Sequence, residues 1–272
     1  MHDCRTSWED AVASLRNNPE SERLAMDCYF DDPIEAAAKR YHQSSEWQAV
    51  QKVLSGRRGK ALDVGAGRGI SSYALAKDGW DVTALEPDPS HLVGAGAIRS
   101  LAEVAGVTIQ VVENWGESLP FPNESFDLVY GRQVLHHAND LKAFCREIGR
   151  VLRPGGVFLA SREHVISKLT DLQRFLDRHP LHRLYGGENA YQLSEYTDAI
   201  RNGGIRITRI LNPWASDINL FPHTYDELSQ AICDRTRIVP KRVLTPAVLA
   251  RLGKLYRTPG ALYSFVGIRK LS

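Results

Sequence analysis

Apolar positions along this chain recur first at helical spacing and then in strand-like runs. Ile34, Ala37, Ala38 and Tyr41 fall three or four residues apart, as do Trp47, Val50 and Leu54. That spacing lines one face of a helix, so residues 7–55 read as helical. Asp32 is the expected N-cap, with Pro33 in the first turn. The run "SGRRGK" ends the segment.

From residue 60 the period changes. Short apolar runs, "KALDVG", "WDVTALE", "VTIQVV", "FDLVYG" and "GGVFLAS", alternate with helical segments, "ISSYALAKDG", "PSHLVGAGAIRSLAEVAG" and "DLKAFCREIGRVL". The second of these helices is weakened by Gly94 and Gly96. Such alternation predicts a parallel sheet covered by helices on both faces. Right-handed crossovers then bring the C-terminal ends of the strands to one edge, where open sheets bind ligands.

Beyond residue 161 the alternation slows. "SKLTDLQRFLDR" reads as a helix and "HPLHRLYGGENAY" as a loop, long enough to carry function. "SEYTDAIRNGG" is a helix capped by Ser194, and "IRITRIL" a sixth strand. Residues 212–260 form an insertion, with helix starts at Thr224–Glu227 and at Thr245-Pro246. "ALYSFVGIRK" is the last strand.

Composition narrows the classes. The 272 residues are 43% hydrophobic and 24% charged, with a net charge of +2. This gives no electrostatic footprint for nucleic acid, and no window approaches the ~20 apolar residues of a membrane span. The polar start "MHDCRTSWED" does not read as a secretory signal. Cys4, Cys28, Cys145 and Cys233 lack metal-ligand spacing and are expected to be reduced thiols of a cytoplasmic protein.

The chemistry begins at "LDVGAGRGI", residues 62–70, with Gly65, Gly67 and Gly69. A dinucleotide turn needs G-x-G-x-x-G, but residue 70 is Ile; a P-loop needs a Lys-Ser/Thr pair that does not follow. Asp63 ends the first strand and Glu86 the second. An acid at the second position accepts hydrogen bonds from ribose hydroxyls. An acid beside the turn suits a positive centre and repels pyrophosphate. A ligand with a free ribose, a positive centre and no phosphate is required, and S-adenosylmethionine meets all three conditions.

"LDVGAGRG" resembles motif I of the class I S-adenosylmethionine-dependent methyltransferases, type 11 subgroup, and "ALEPD" resembles their second motif. "ESLPFPNESFDLVYGRQVLHHANDLKAFCREIGRVLRPGGVFL" is similar to the block that follows. The resemblance covers residues 60–161 closely. It implies an α/β, Rossmann-like, doubly wound sheet of seven mostly parallel strands with an antiparallel last strand. Residues 1–56 would be a helical lid, and residues 57–272 the core, with 212–260 as a helical insertion or cap. It implies Asp63, Gly65, Ala66 and Gly67 at the methionine end of the cofactor. Glu86 would lie on the ribose, with Pro87 and Asp88 beside the adenosine. Many relatives have Gly-Asp-Ala-Glu before "LPF"; here the stretch is Asn114-Trp115-Gly116-Glu117. Trp115 is expected to stack on the adenine or to turn away and leave a contact from Gly116. Arg132 would reach the methionine carboxylate.

His136 and His137 follow the fourth strand, and Arg162, Glu163 and His164 follow the fifth. A histidine near its free pKa of ~6.5 can take a proton from an acceptor hydroxyl or amine, which makes His137 and His164 the candidate catalytic residues. Scattered ligands of this kind do not define a metal site, and none is assigned. His182, Arg183, Tyr185, Glu188 and Tyr191 form a candidate lid or acceptor wall. Tyr29, Tyr41 and Trp47 are candidates for closing the site from the N-terminal side, or for a core stripe. The expected activity is methyl transfer to a small-molecule acceptor, most simply to oxygen, giving S-adenosylhomocysteine. The alternatives are a non-catalytic protein that binds the same cofactor, and a nucleic-acid methyltransferase. The near-neutral charge and "YGRQVLHH" in place of an Asn/Asp-Pro-Pro-Tyr motif speak against the second. The glycine spacing speaks against an NAD-dependent dehydrogenase.

Overall fold

A computed structural model describes residues 7–271; Cys4 lies outside them. Four helices come first, α1 (Trp8–Asn17), α2 (Glu22–Asp27), α3 (Ile34–His42) and α4 (Ser45–Leu54). Then follow β1 (Lys60–Val64), α5 (Ile70–Lys77), β2 (Asp81–Leu85), α6 (Ala95–Ala105), β3 (Ile109–Val112), β4 (Phe126–Arg132), α7 (Leu141–Val151) and β5 (Leu152–Ile166). The second half contains α8 (Asp171–Leu176), α9 (Pro180–Tyr185), β6 (Tyr191–Gln192), α10 (Leu193–Asn202) and β7 (Ile205–Leu211). It ends with α11 (Asp217–Leu220), α12 (Tyr225–Thr236), α13 (Pro246–Gly253) and β8 (Ala261–Arg269).

The strand order is β3-β2-β1-β4-β5-β8-β7. β1 to β5 run parallel, and β8 lies antiparallel between β5 and β7. This is the predicted seven-stranded sheet. An eighth, two-residue strand, β6, adds to the far end of β5. The order reverses between β1 and β4, which opens the crevice that ligands of doubly wound sheets use. β1 and β2 are buried from their second residue onward, as strands covered on both faces must be. α7 sets Leu141, Phe144, Cys145 and Ile148 into the core and starts at Asp140, whose side chain accepts from the Ala143 N–H. No helix among the described residues is long and apolar enough to cross a membrane.

Several local expectations change. Asp32 does not cap α3; its carboxylate pairs instead with Arg16 and Arg68. The helical segment from residue 34 to 54 breaks at Ser44, which caps α4 by accepting from the Trp47 N–H. The α10 cap is Gln192, in a capping box with Glu195, rather than Ser194. The loop from residue 179 contains α9. The Thr224–Glu227 capping box and the Thr245 cap are present.

The N-terminal helices divide into two parts. α3 and α4 share one core with the sheet: Tyr41, Trp47, Val50 and Leu54 pack with Leu75, Trp80, Leu128 and Tyr130. Asp78, at the end of α5, accepts from Trp47 Nε1 and Gln51 Nε2 and pairs with His42. Tyr41 and Trp47 are therefore core residues. Only α1 and α2, with Tyr29 and Phe30 after them, reach the cavity described below. No residue of 212–260 lines that cavity, so the insertion is not a cap over it. α11 instead buttresses β5, where the Ile218 and Phe221 carbonyls accept from Arg162 Nη1.

Candidate active site

A cavity of about 520 Å³ lies at the C-terminal edge of the sheet. Its wall includes Gly65, Ala66, Gly67, Glu86, Pro87, Trp115, Gly116, Glu117, Arg132, His137 and His164. Residues far apart in sequence meet there because each lies at or just after the C-terminal end of a parallel strand.

The glycine turn is shaped by backbone geometry. Gly65 sits at φ +62°, and a Cβ there would overlap the Val134 side chain. Gly67 sits at φ +54°, and a Cβ there would meet nothing closer than the Val93 carbonyl oxygen at 3.9 Å. The backbone there is bare toward the cavity, which is what close approach of a ligand requires.

Asp63 is placed differently from expectation. It is fully buried and does not line the cavity. Its Oδ2 accepts from the hydroxyls of Ser71 and Ser72, at 2.7 and 2.6 Å, which ties β1 to the start of α5. Burial pushes its carboxyl up to about 6, although the two serines oppose the shift. Asp63 thus sets the turn from beneath it. Asp88 is also off the wall; its N–H donates to Glu86 Oε1 and its carboxylate accepts from the Ser90 N–H.

Glu86 accepts from the Gly67 N–H at 2.7 Å and the Asp88 N–H at 3.0 Å. Burial raises its carboxyl to about 7 against the pull of those two donors. Each carboxylate oxygen keeps a lone pair for a further donor. On the adjoining wall Trp115 is 63% exposed, so it is not a core residue. The turn that carries it is fixed by Gly116, where a Cβ would overlap the Phe144 ring. Glu117 accepts from the Asn139 N–H.

Arg132 ends β4 with its guanidinium on Glu46 of α4 and on Gln133 Oε1. It lies over the rings of Tyr29 and Tyr41. Burial opposes its charge, but Glu46 outweighs burial and holds the guanidinium protonated. Three of its five N–H groups are thereby used, and two remain.

The far half of the cavity is a histidine cluster. β5 runs on through Arg162, Glu163 and His164, past a bulge between Ala160 and Glu163. These three residues are therefore buried strand positions rather than a loop after the strand. Glu163 accepts from the backbone N–H groups of Val134, Leu135 and His136, and lies 2.7 Å from His136 Nδ1. His136 Nε2 lies 3.5 Å from Glu188 Oε2. Burial works against the His136 charge, but the two carboxylates outweigh it and raise the ring to about 9. His137 opens onto the cavity with Nδ1 on the Gly187 carbonyl. The enclosing walls and the neighbouring His136 charge push it down to about 4. His164 has Nδ1 on the Gly260 carbonyl at 2.9 Å and packs against the rings of His136, Phe175 and His179. Burial, then the His136 charge, holds it well below the usual range.

Of the predicted lid residues, Tyr185 and Glu188 line the cavity, and the Tyr185 hydroxyl donates to Glu188. Trp8 packs on Tyr185 with ring centres 4.6 Å apart, which closes α1 onto α9. His182, Arg183 and Tyr191 stay off the wall. Tyr191 donates to the Ala138 carbonyl. His179, Trp8 and Glu46 were not singled out by spacing, because each meets its partner only through tertiary packing.

Residues 62–160 match the family model described as a methyltransferase domain. The chain is 37% identical over 100 residues to a ubiquinone biosynthesis O-methyltransferase of Methylobacterium sp. (strain 4-46), covering 37% of this chain and 39% of that protein. It is 32% identical over 131 residues to the protein of that name from Paramagnetospirillum magneticum, covering 48% of this chain and 51% of the relative. The match thus spans about half or less of these relatives. Geranyl diphosphate methyltransferase, solved with GPP and sinefungin, superimposes with a TM-score of 0.62 at 14% identity, over 96% of this chain and 99% of that one. The cyclase SpnF does so with a TM-score of 0.56 at 18% identity, over 87% of this chain and 82% of that one. At these identities the two structures share the fold with this chain.

Proposed function

Residues 62–160 match a methyltransferase domain, and on that premise we propose that this chain is a class I S-adenosylmethionine-dependent methyltransferase that methylates an oxygen of a small-molecule acceptor. The observation that carries this reading is the continuity of the cavity. It joins the glycine turn, Glu86 and Trp115 at one end to the histidine cluster at the other. The fit of S-adenosylmethionine rests on Glu86, an acceptor-only group when ionised and so suited to a diol. It rests also on the bare backbone at Gly67.

In this reading Glu86 holds the ribose and the face of Trp115 covers the adenine. Gly65, Ala66 and Gly67 bring main chain against the methionine part. The two N–H groups left on Arg132 face its carboxylate. The cofactor supplies a methyl group already activated on a sulfonium. The protein aligns the acceptor oxygen with that methyl and excludes water. His137, neutral and open to the cavity, takes the acceptor proton through Nε2 as the oxygen–methyl bond forms and the oxygen turns strongly acidic; with its ring pushed down to about 4 it is too weak a base to remove that proton beforehand. His164, enclosed by other rings, holds the wall in place.

Calorimetric titration with S-adenosylmethionine, S-adenosylhomocysteine and NAD tests the premise. One-site binding of the first two and none of NAD is expected. Failure of both sulfur compounds to bind would overturn the reading of residues 62–88.

A further inference from the structure

We propose that His136, His164 and Glu188 form a binding site for a first-row divalent metal ion, open to the acceptor half of the cavity. One ligand atom from each of the three lies within 4.8 Å of the other two, and all three residues are buried. They come from three separate places: the turn after β4, the end of β5 and the segment between α9 and β6.

The hydrogen bonds around the cluster decide which atoms are free. A backbone carbonyl only accepts, so His164 Nδ1 must carry its hydrogen toward Gly260, 2.9 Å away. His137 Nδ1 must do the same toward Gly187. His136 Nδ1 faces the Glu163 carboxylate at 2.7 Å. Each ring thus has Nδ1 tied off by an oxygen, which leaves Nε2 as the metal-binding nitrogen; at His136 the ion takes the place of the second ring proton that the two carboxylates otherwise hold. Such outward tethering by a carboxylate or carbonyl is how metal-binding histidines are oriented.

A second observation points to a ligand. Glu188 is 8% exposed and its Oε2 has no hydrogen-bond partner, although it lies among imidazoles. His136 Nε2 lies 3.5 Å from it. Two ligands on one tetrahedral ion, with bonds of ~2.1 Å, stand about 3.4 Å apart. A cation between them would satisfy the orphan oxygen. Two imidazoles and one carboxylate favour zinc, cobalt, iron or manganese over magnesium or calcium. Three protein ligands leave coordination positions free for an acceptor oxygen.

The consequence for chemistry rests on the methyltransferase reading; the metal site does not. An acceptor hydroxyl bound to the ion becomes more acidic. His137 Nε2, 3.9 Å from Glu188 Oε2, takes its proton. The oxygen lone pair forms the bond to the methyl carbon as the carbon–sulfur bond breaks, its electron pair returning to sulfur. A sulfonium and an alcohol thus give an ether, a thioether and a proton.

The test is to strip the full chain with a chelator and titrate it with zinc(II) and cobalt(II). One ion per chain is expected, with visible cobalt bands. Glu188→Gln and His164→Gln should each weaken binding at least about a hundredfold. His223→Ala, on the surface, should bind as the parent does. Circular dichroism and thermal unfolding of every variant report whether it is folded, and S-adenosylhomocysteine titration of the parent reports the cofactor site separately. Crystals soaked in zinc(II) provide a reading that needs no variant: an anomalous peak between His136 Nε2, His164 and Glu188 is expected. No saturable ion in the parent, no peak at the cluster, or full binding by both folded variants would overturn the site. Metal binding without S-adenosylhomocysteine binding would sustain the site and remove the methyltransferase reading instead.

Discussion

Arg132 and Glu46 form a two-pronged ion pair, 2.7 Å from Nε to Oε1 and 3.0 Å from Nη2 to Oε2. It joins the end of β4 to α4, and Glu46 is fully buried. The pair fixes the wall of the cavity to a helix that belongs to the core. Removing one partner of a buried pair leaves the other charge without compensation, at a cost of about 3–5 kcal/mol. Glu46→Ala should lower stability by that order in urea unfolding. A variant as stable as the parent would show that Arg132 finds another partner.

With Glu86 on the ribose, as proposed, cofactor binding should depend on pH. Its carboxyl stands at about 7 in the unliganded protein, above its ordinary value. The sign follows from linkage: a carboxyl raised on folding favours the protonated folded state, so free-protein stability falls as pH rises through 7. A ribose diol donates to the ionised form, so affinity should move the other way. Cofactor affinity should fall about tenfold per pH unit below 7, and Glu86→Gln should bind weakly with little pH dependence. Calorimetry at pH 6, 7 and 8 separates the two proteins.

Trp115 is exposed enough for its loss to be felt at the ligand rather than in the fold. Trp115→Ala should leave thermal stability within the ±0.5 kcal/mol of an ordinary surface change. If the indole covers the adenine, affinity should weaken by about 1–3 kcal/mol, the range of aromatic stacking on a base. Equal loss of stability and affinity would point to packing of the turn instead.

His137 should matter to turnover and not to cofactor affinity. With its ring pushed down to about 4, it stays neutral through the working range. Activity at saturating cofactor should therefore show no acid limb between pH 8 and 5 that belongs to this group. His137→Ala should cost about 10²–10⁴ in kcat on a hydroxyl acceptor. Unchanged turnover at saturating acceptor would remove it as the base.

Sequence alone determined the sheet and marked most of the residues that line one end of the cavity. Strand–helix alternation set the order of elements, and the glycine turn with Glu86 at the next strand end marked one binding edge. These signals are local: a period, a turn residue, an acid at a strand terminus. The Asp63 position was legible, but its contact was not, because Ser71 and Ser72 of the next helix claim its oxygen. Arg132 was legible as a residue of the binding edge and lines the cavity, but its hold on Glu46 was not.

Only the tertiary structure decided the acceptor half. β5 continues through Glu163 and His164 because β8 and β6 pair with its far end, and no local period marks that extension. Glu163, His136 and Glu188 meet across loops and strand ends that spacing does not connect. Their protonation follows from burial and from one another's charge, which belong to the assembled cavity. Local hydrogen bonding and hydrophobic period are written residue by residue, whereas convergence of polar groups depends on where the whole chain brings its strand ends together.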